Sequence, residues 1–80
     1  MDEVTNKVHN VIGTHLGVPI AEVKNESYLQ DDLNADQLAL ADIVVTLEEE
    51  FSLKIPQEEI IKFNKVGDIV TYISENLNEL

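Results

Sequence analysis

The sequence predicts an all-α protein, a four-helix bundle of three long helices and one short, with a long first loop. Three observations carry that prediction. Apolar residues recur at i, i+3, i+4, i+7 and i+11 in separate stretches, the spacing that lines one face of a helix turning every ~3.6 residues. No stretch alternates apolar and polar residues as a half-buried strand does, and the one β-branched run, Ile43-Val44-Val45-Thr46, lies inside a helical register. The 80 residues read as one domain, 1–80, without repeats or linkers. A chain this short buries only about two-thirds of its unfolded surface and is marginally stable. With no cysteine it has no disulfide, thiolate metal site or Cys nucleophile.

The first helix runs from Asp2 to about His15, because Val4, Val8, Val11, Ile12 and His15 fall on one face and Asp2 and Glu3 complement the positive end of its dipole. Gly13 weakens its last turn, Gly17 supplies a left-handed cap and Pro19 stops it. His9 and His15 are six residues apart, on different faces, so they are expected to be structural or solvated and not joint metal ligands. Residues 20–35 form a long connection with a possible helical turn at Ala21-Glu22-Val23. A loop of this length needs apolar pins, and Val23, Tyr28, Leu29 and Leu33 are expected to lie over the core.

The stretch 32–56 organises the chain and reads as one helix with two differently used faces. Leu40, Ile43, Val44, Leu47 and Phe51 make the core face. Leu38, Ala41 and Val45 make a second, mildly apolar strip edged by Asp42, Glu48 and Glu49, which suits reversible docking. Asp36 is placed to cap the helix by accepting first-turn N–H groups. The run Glu48-Glu49-Glu50 puts negative charge at the negative pole of the dipole, an arrangement better explained by recognition than by helix stability. A calcium loop starting at Asp32 fails, since its sixth position is Gln37 in place of glycine and its twelfth is Ile43 in place of glutamate. Beyond it, Pro56, Glu58 and Glu59 open a short helix, with Ile60, Ile61 and Phe63 expected in the core. Asn64 is expected to cap the last helix, whose buried face is Val66, Ile69, Val70, Ile73 and Leu77, with Asn76 to Leu80 fraying.

The net charge of −11, with five lysines and no arginine, excludes a nucleic-acid partner and points to basic proteins. A hydrophobic content of 44% is too high for a disordered chain. The acidic start, and the lack of an apolar run near the ~20 residues that span a bilayer, predict a soluble, cytoplasmic monomer. An organellar form that has lost its transit peptide stays open. No Ser-His-Asp spacing or glycine-rich phosphate loop occurs, so the chain is not expected to be an enzyme.

Asp32-Leu33-Asn34-Ala35-Asp36-Gln37-Leu38, followed by Leu47-Glu48-Glu49-Glu50-Phe51 and Ile55-Pro56, resembles the acyl carrier protein family, whose usual wording is DLGADSL, LEEEF and IP. Leu16-Gly17-Val18 and Tyr72 fit the same pattern. The resemblance implies a carrier of fatty acid or lipid biosynthesis whose DSL serine bears 4'-phosphopantetheine on its hydroxyl oxygen. In this chain that position is Gln37. A carboxamide has no hydroxyl to accept a phosphoryl group, so Gln37 is predicted to be unmodified and no cofactor is expected.

The resemblance further implies a docking surface of Asp36, Leu38, Ala41, Asp42, Val45, Glu48 and Glu49 for basic surfaces of fatty acid or lipid synthesis enzymes and other carrier-binding proteins. Two other readings stay open. One is an ordinary acyl carrier protein whose serine was replaced by laboratory substitution; the other is an acidic interaction or regulatory subunit unrelated to acyl transfer. Asn34 in place of the family's Gly, and Ala39 in place of an acid, favour natural divergence.

Overall fold

The computed structural model describes residues 2–77, whose regular elements are helical, in the order α1 (Glu3–Leu16), a 3-10 turn (Ile20–Glu22), α2 (Gln37–Phe51), α3 (Gln57–Ile60) and α4 (Val66–Asn76). Three long helices and one short one match the expected bundle. No strand forms among the described residues; the one β-bridge joins Tyr28 to Lys65. Val8 and Ile12 of α1, Ile43 and Leu47 of α2, and Val66, Ile69 and Ile73 of α4 are fully enclosed, so each long helix buries the face its spacing marked.

Helix α1 starts where Asp2 accepts the Thr5 N–H at 2.7 Å. It ends at Gly17, whose φ of 68° permits a Schellman cap: the Gly17 and Val18 N–H groups both return to the Gly13 carbonyl. The polar members of its buried face are Thr5 and His9. His15, expected among the apolar residues, is exposed, and its Nε2 donates to the Thr46 hydroxyl of α2 at 2.9 Å. His9 is 3% exposed and donates from Nε2 to Asn25 Oδ1 at 2.8 Å. The Asn25 carbonyl accepts the Gly67 N–H at 2.9 Å, so one residue of the long loop is tied to both α1 and α4.

The Asp2 carboxyl is held below its ordinary value of 3.8, first by the Thr5 N–H and then by the Thr5 hydroxyl. A folded-state pKa below the unfolded one contributes stability above the unfolded value and loses it as pH falls through the folded value. Asp2→Asn keeps the capping oxygen without the titration. Urea midpoints should therefore fall less between neutral pH and about pH 3 in that variant than in the native chain.

The long loop is pinned by Val23 and Leu29, both buried, with Leu33 half-buried. Tyr28 does not cover the core as expected: it is 43% exposed, and the Lys65 ammonium sits 5.2 Å from its ring centroid. Backbone pairing takes over its pinning role, through Leu29 N–H to Asn64 at 2.8 Å and Val66 N–H to Ser27 at 3.0 Å.

Of the stretch 32–56, α2 occupies only Gln37–Phe51. Asp36 caps it as expected, accepting the Ala39 N–H at 2.9 Å. Ser52 closes it with φ 54°, a left-handed conformation unfavourable for a residue with a Cβ. Ser52→Gly should accordingly raise stability by about 1 kcal/mol, read as a higher urea midpoint with an unchanged slope.

Ile61 is 72% exposed, contrary to its expected core position, because a four-residue helix can turn only one side of the Ile60-Ile61 pair inward. Helix α4 is not capped by the Asn64 side chain. Asp68, in its first turn, reaches back to accept the Asn64 and Lys65 N–H groups at 2.9 and 3.0 Å. Leu77 is half-buried beyond α4, and the rest of the expected fraying, 78–80, lies outside the described residues.

Candidate docking face and cleft on α2

Position 37 is the first residue of α2, exposed, directly after the Asp36 cap. Asp36 holds this start of the helix through its carboxylate and an extended backbone at φ −75°, ψ −179°. The preceding turn needs a left-handed residue at Asn34, where φ is 62°. Asparagine tolerates that conformation better than most residues, which accounts for its standing where the resemblance has glycine.

From Gln37 onward the outer face of α2 carries Leu38, Ala41, Asp42, Val45 and Glu49, all exposed, at i, i+3, i+4, i+7 and i+11. They share one stripe as surely as the core residues share theirs. Leu38 is 75% and Val45 52% exposed. The ion pairs among the described residues are Lys7–Glu50 at 3.2 Å and Lys62–Glu59 at 3.6 Å, so Asp36, Asp42 and Glu49 face solvent without a cation beside them. Glu50 belongs to the α1 side, where Lys7 also lies 5.8 Å from the Phe51 ring centroid.

Glu48 sits differently from its neighbours. It is half-buried and accepts the Ile55 N–H at 2.8 Å, fastening the α2–α3 connection under the helix. It also lines a cleft of about 490 Å³ together with Asp36 and Gln37. Leu40, Val44, Ile55 and Phe63 are among the apolar residues of this cleft, and the exposed Ile61, directly after α3, also lines it. Sequence reasoning assigned no site role to Ile61, Gln30, Gln57 or Asn64. The adjacent Ile60-Ile61 pair was the available signal for the first of these; the amides carry none until the fold gathers them.

The family's cofactor does not fit the donor chemistry here. Phosphopantetheine needs a hydroxyl oxygen, and Gln37 offers a carboxamide. Among the described residues, no cluster of His, Cys, Asp and Glu is grouped to hold a metal ion.

Residues 6–73 match the family model described as a phosphopantetheine attachment site. The acyl carrier protein of Clostridium acetobutylicum is 42% identical over 76 residues, which covers 95% of this chain and 99% of that protein. The acyl carrier protein of Thermotoga maritima is also 42% identical over 76 residues, covering 95% and 94%. Among solved structures, the acyl carrier protein of Enterococcus faecalis superposes with a TM-score of 0.78 at 36% identity, covering 92% of this chain and 94% of that one. Sequence, fold and the motif around position 37 agree, and the chain belongs to the acyl carrier protein family.

Proposed function

We propose that this chain is an acyl-carrier-family domain of fatty acid or lipid biosynthesis that docks basic partner proteins through α2 and bears no phosphopantetheine arm of its own. The observation that carries this reading is the exposed stripe Leu38, Ala41, Asp42, Val45 and Glu49, running from an exposed residue 37 that has no hydroxyl. Acyl carrier proteins are carriers and not catalysts, and no helix among the described residues is long and apolar enough to cross a membrane. The reading therefore gives the chain a binding role beside its partners. The left-handed Asn34, compatible with the turn it occupies, favours natural divergence over a laboratory substitution.

Exposed ion pairs contribute roughly 0 to 1 kcal/mol each, so the acidic stripe chiefly speeds encounter and chooses partners. Association should be fast, weak and salt-sensitive. Asp42 and Glu49 are the residues to reverse, since Glu48 also holds the Ile55 N–H and its loss would disturb the fold. Titration of the native chain with a phosphopantetheinyl transferase at low salt should show binding. Asp42→Lys with Glu49→Lys should weaken it about tenfold or more at unchanged thermal stability. Equal affinity of the charge-reversed chain would place docking elsewhere.

A further inference from the structure

We infer that the groove between the first half of α1 and the long loop is a binding site for a small primary alkylammonium ion, held by the acceptor atoms of Asp2, Thr5, His9 and Glu26. The groove measures about 550 Å³, a size that suits a small molecule. It shares no lining residue with the cleft beside position 37, so the site is separate from the docking face of α2.

Two buried polar side chains set this groove apart from ordinary surface. Thr5 and His9, at 6% and 3% exposure, are the buried polar side chains among the described residues, and both line it. Their inward neighbours on α1 are Val8 and Ile12, so the core itself asks for apolar residues there. Burying a polar group costs free energy that its hydrogen bonds must offset, and the bonds these two make decide the ligand. His9 donates its Nε2–H to Asn25 Oδ1 at 2.8 Å, which leaves Nδ1 of the neutral ring as an acceptor. That nitrogen has no partner among the described residues. The Thr5 hydroxyl donates to the Asp2 carboxylate, and lone pairs remain on both groups. The buried donors are spent and the buried acceptors remain.

A ligand that complements this lining brings donors and positive charge. Glu26 adds a carboxylate that joins no ion pair among the described residues. A primary ammonium carries three N–H donors and one charge, the counterpart of two carboxylates, a hydroxyl oxygen and a ring nitrogen. Ile20, Ala21 and Val23 of the loop offer its alkyl chain an apolar wall. Lys24 is the cation of the lining; it is exposed and opposes the ligand, so its removal should strengthen binding.

The test is a titration of the ¹⁵N-labelled full chain with n-butylammonium chloride, beside tetramethylammonium chloride at the same ionic strength. The second ion has the same charge and no N–H donor. The expected result with butylammonium is a saturable shift of the His9 ring Nδ1 and of the Thr5, Val23 and Asn25 amides, absent with tetramethylammonium. Glu26→Gln should weaken binding about threefold and Lys24→Gln should strengthen it about threefold. Both positions are exposed, so the helical circular dichroism of the variants should match that of the native chain. Equal shifts with tetramethylammonium, largest shifts at the Asp42 and Glu49 carboxylates of α2, no saturable shift, or unchanged affinity in Glu26→Gln would each overturn the site.

Discussion

Gly13→Ala is expected to destabilise the fold by about 1–3 kcal/mol, opposite in sign to what the same exchange does inside an ordinary helix. Alanine normally gains about 1 kcal/mol over glycine there. Here a Cβ at position 13 would stand 2.7 Å from the Val18 carbonyl oxygen, a backbone atom. Val18 cannot simply step aside, because its own N–H is bonded to the Gly13 carbonyl at 2.9 Å in the cap that closes α1. Relief must come from opening the cap, or from moving the chain beyond it, where the Ile20 Cα lies 3.8 Å from the same Cβ position. Urea unfolding followed by circular dichroism measures the difference. A variant more stable than the native chain would mean that Gly13 is only a weak helix former.

That residue shows where sequence reading succeeds and where it stops. Gly13 reads as a propensity defect because the sequence does not reveal that Val18 returns to it. The core faces were legible, since apolar spacing translates directly into helix faces, and Asp36 was legible as a cap because its role is local. The C-terminus of α2 was not: Ser52 takes a left-handed turn without the glycine that usually announces one. Asp68 caps α4 from inside its first turn, so a search for a capping residue ahead of the helix settles on Asn64. His15 leaves the apolar face on which its spacing put it, and the burial of His9 depends on a distant partner, Asn25, which apolar spacing cannot register.

The outer stripe of α2 was legible for the same reason as the core, and five of its expected residues share it. Glu48 shows the limit. Its neighbours predict an edge of the docking face, whereas its bond to the Ile55 N–H depends on how the chain turns after α2. The cleft was illegible for the same kind of reason. Its lining comes from residues 29 to 64, and only the assembled loop, α2 and α3 bring Gln30, Gln57 and Asn64 into one cleft with Gln37.

Gln37→Ser should have the largest effect on function. The exchange places a hydroxyl at the exposed first residue of an intact, capped helix, next to the acidic stripe, and breaks no side-chain hydrogen bond among the described residues. Serine is well tolerated in the first turn of a helix, so folding should be unaffected. What changes is chemistry alone: an oxygen able to accept the phosphoryl group replaces a carboxamide that cannot. The same substitution separates loss of the attachment atom from loss of recognition, since a scaffold that had drifted away from the transferase would stay unmodified even with serine in place.

The decisive measurement is intact mass after incubation with a broad-specificity phosphopantetheinyl transferase, coenzyme A and magnesium, native chain beside Gln37→Ser. The expected result is one added phosphopantetheine arm on the variant and none on the native chain. An arm on the native chain, or none on either protein, would contradict the proposal that Gln37 alone silences an otherwise competent carrier scaffold.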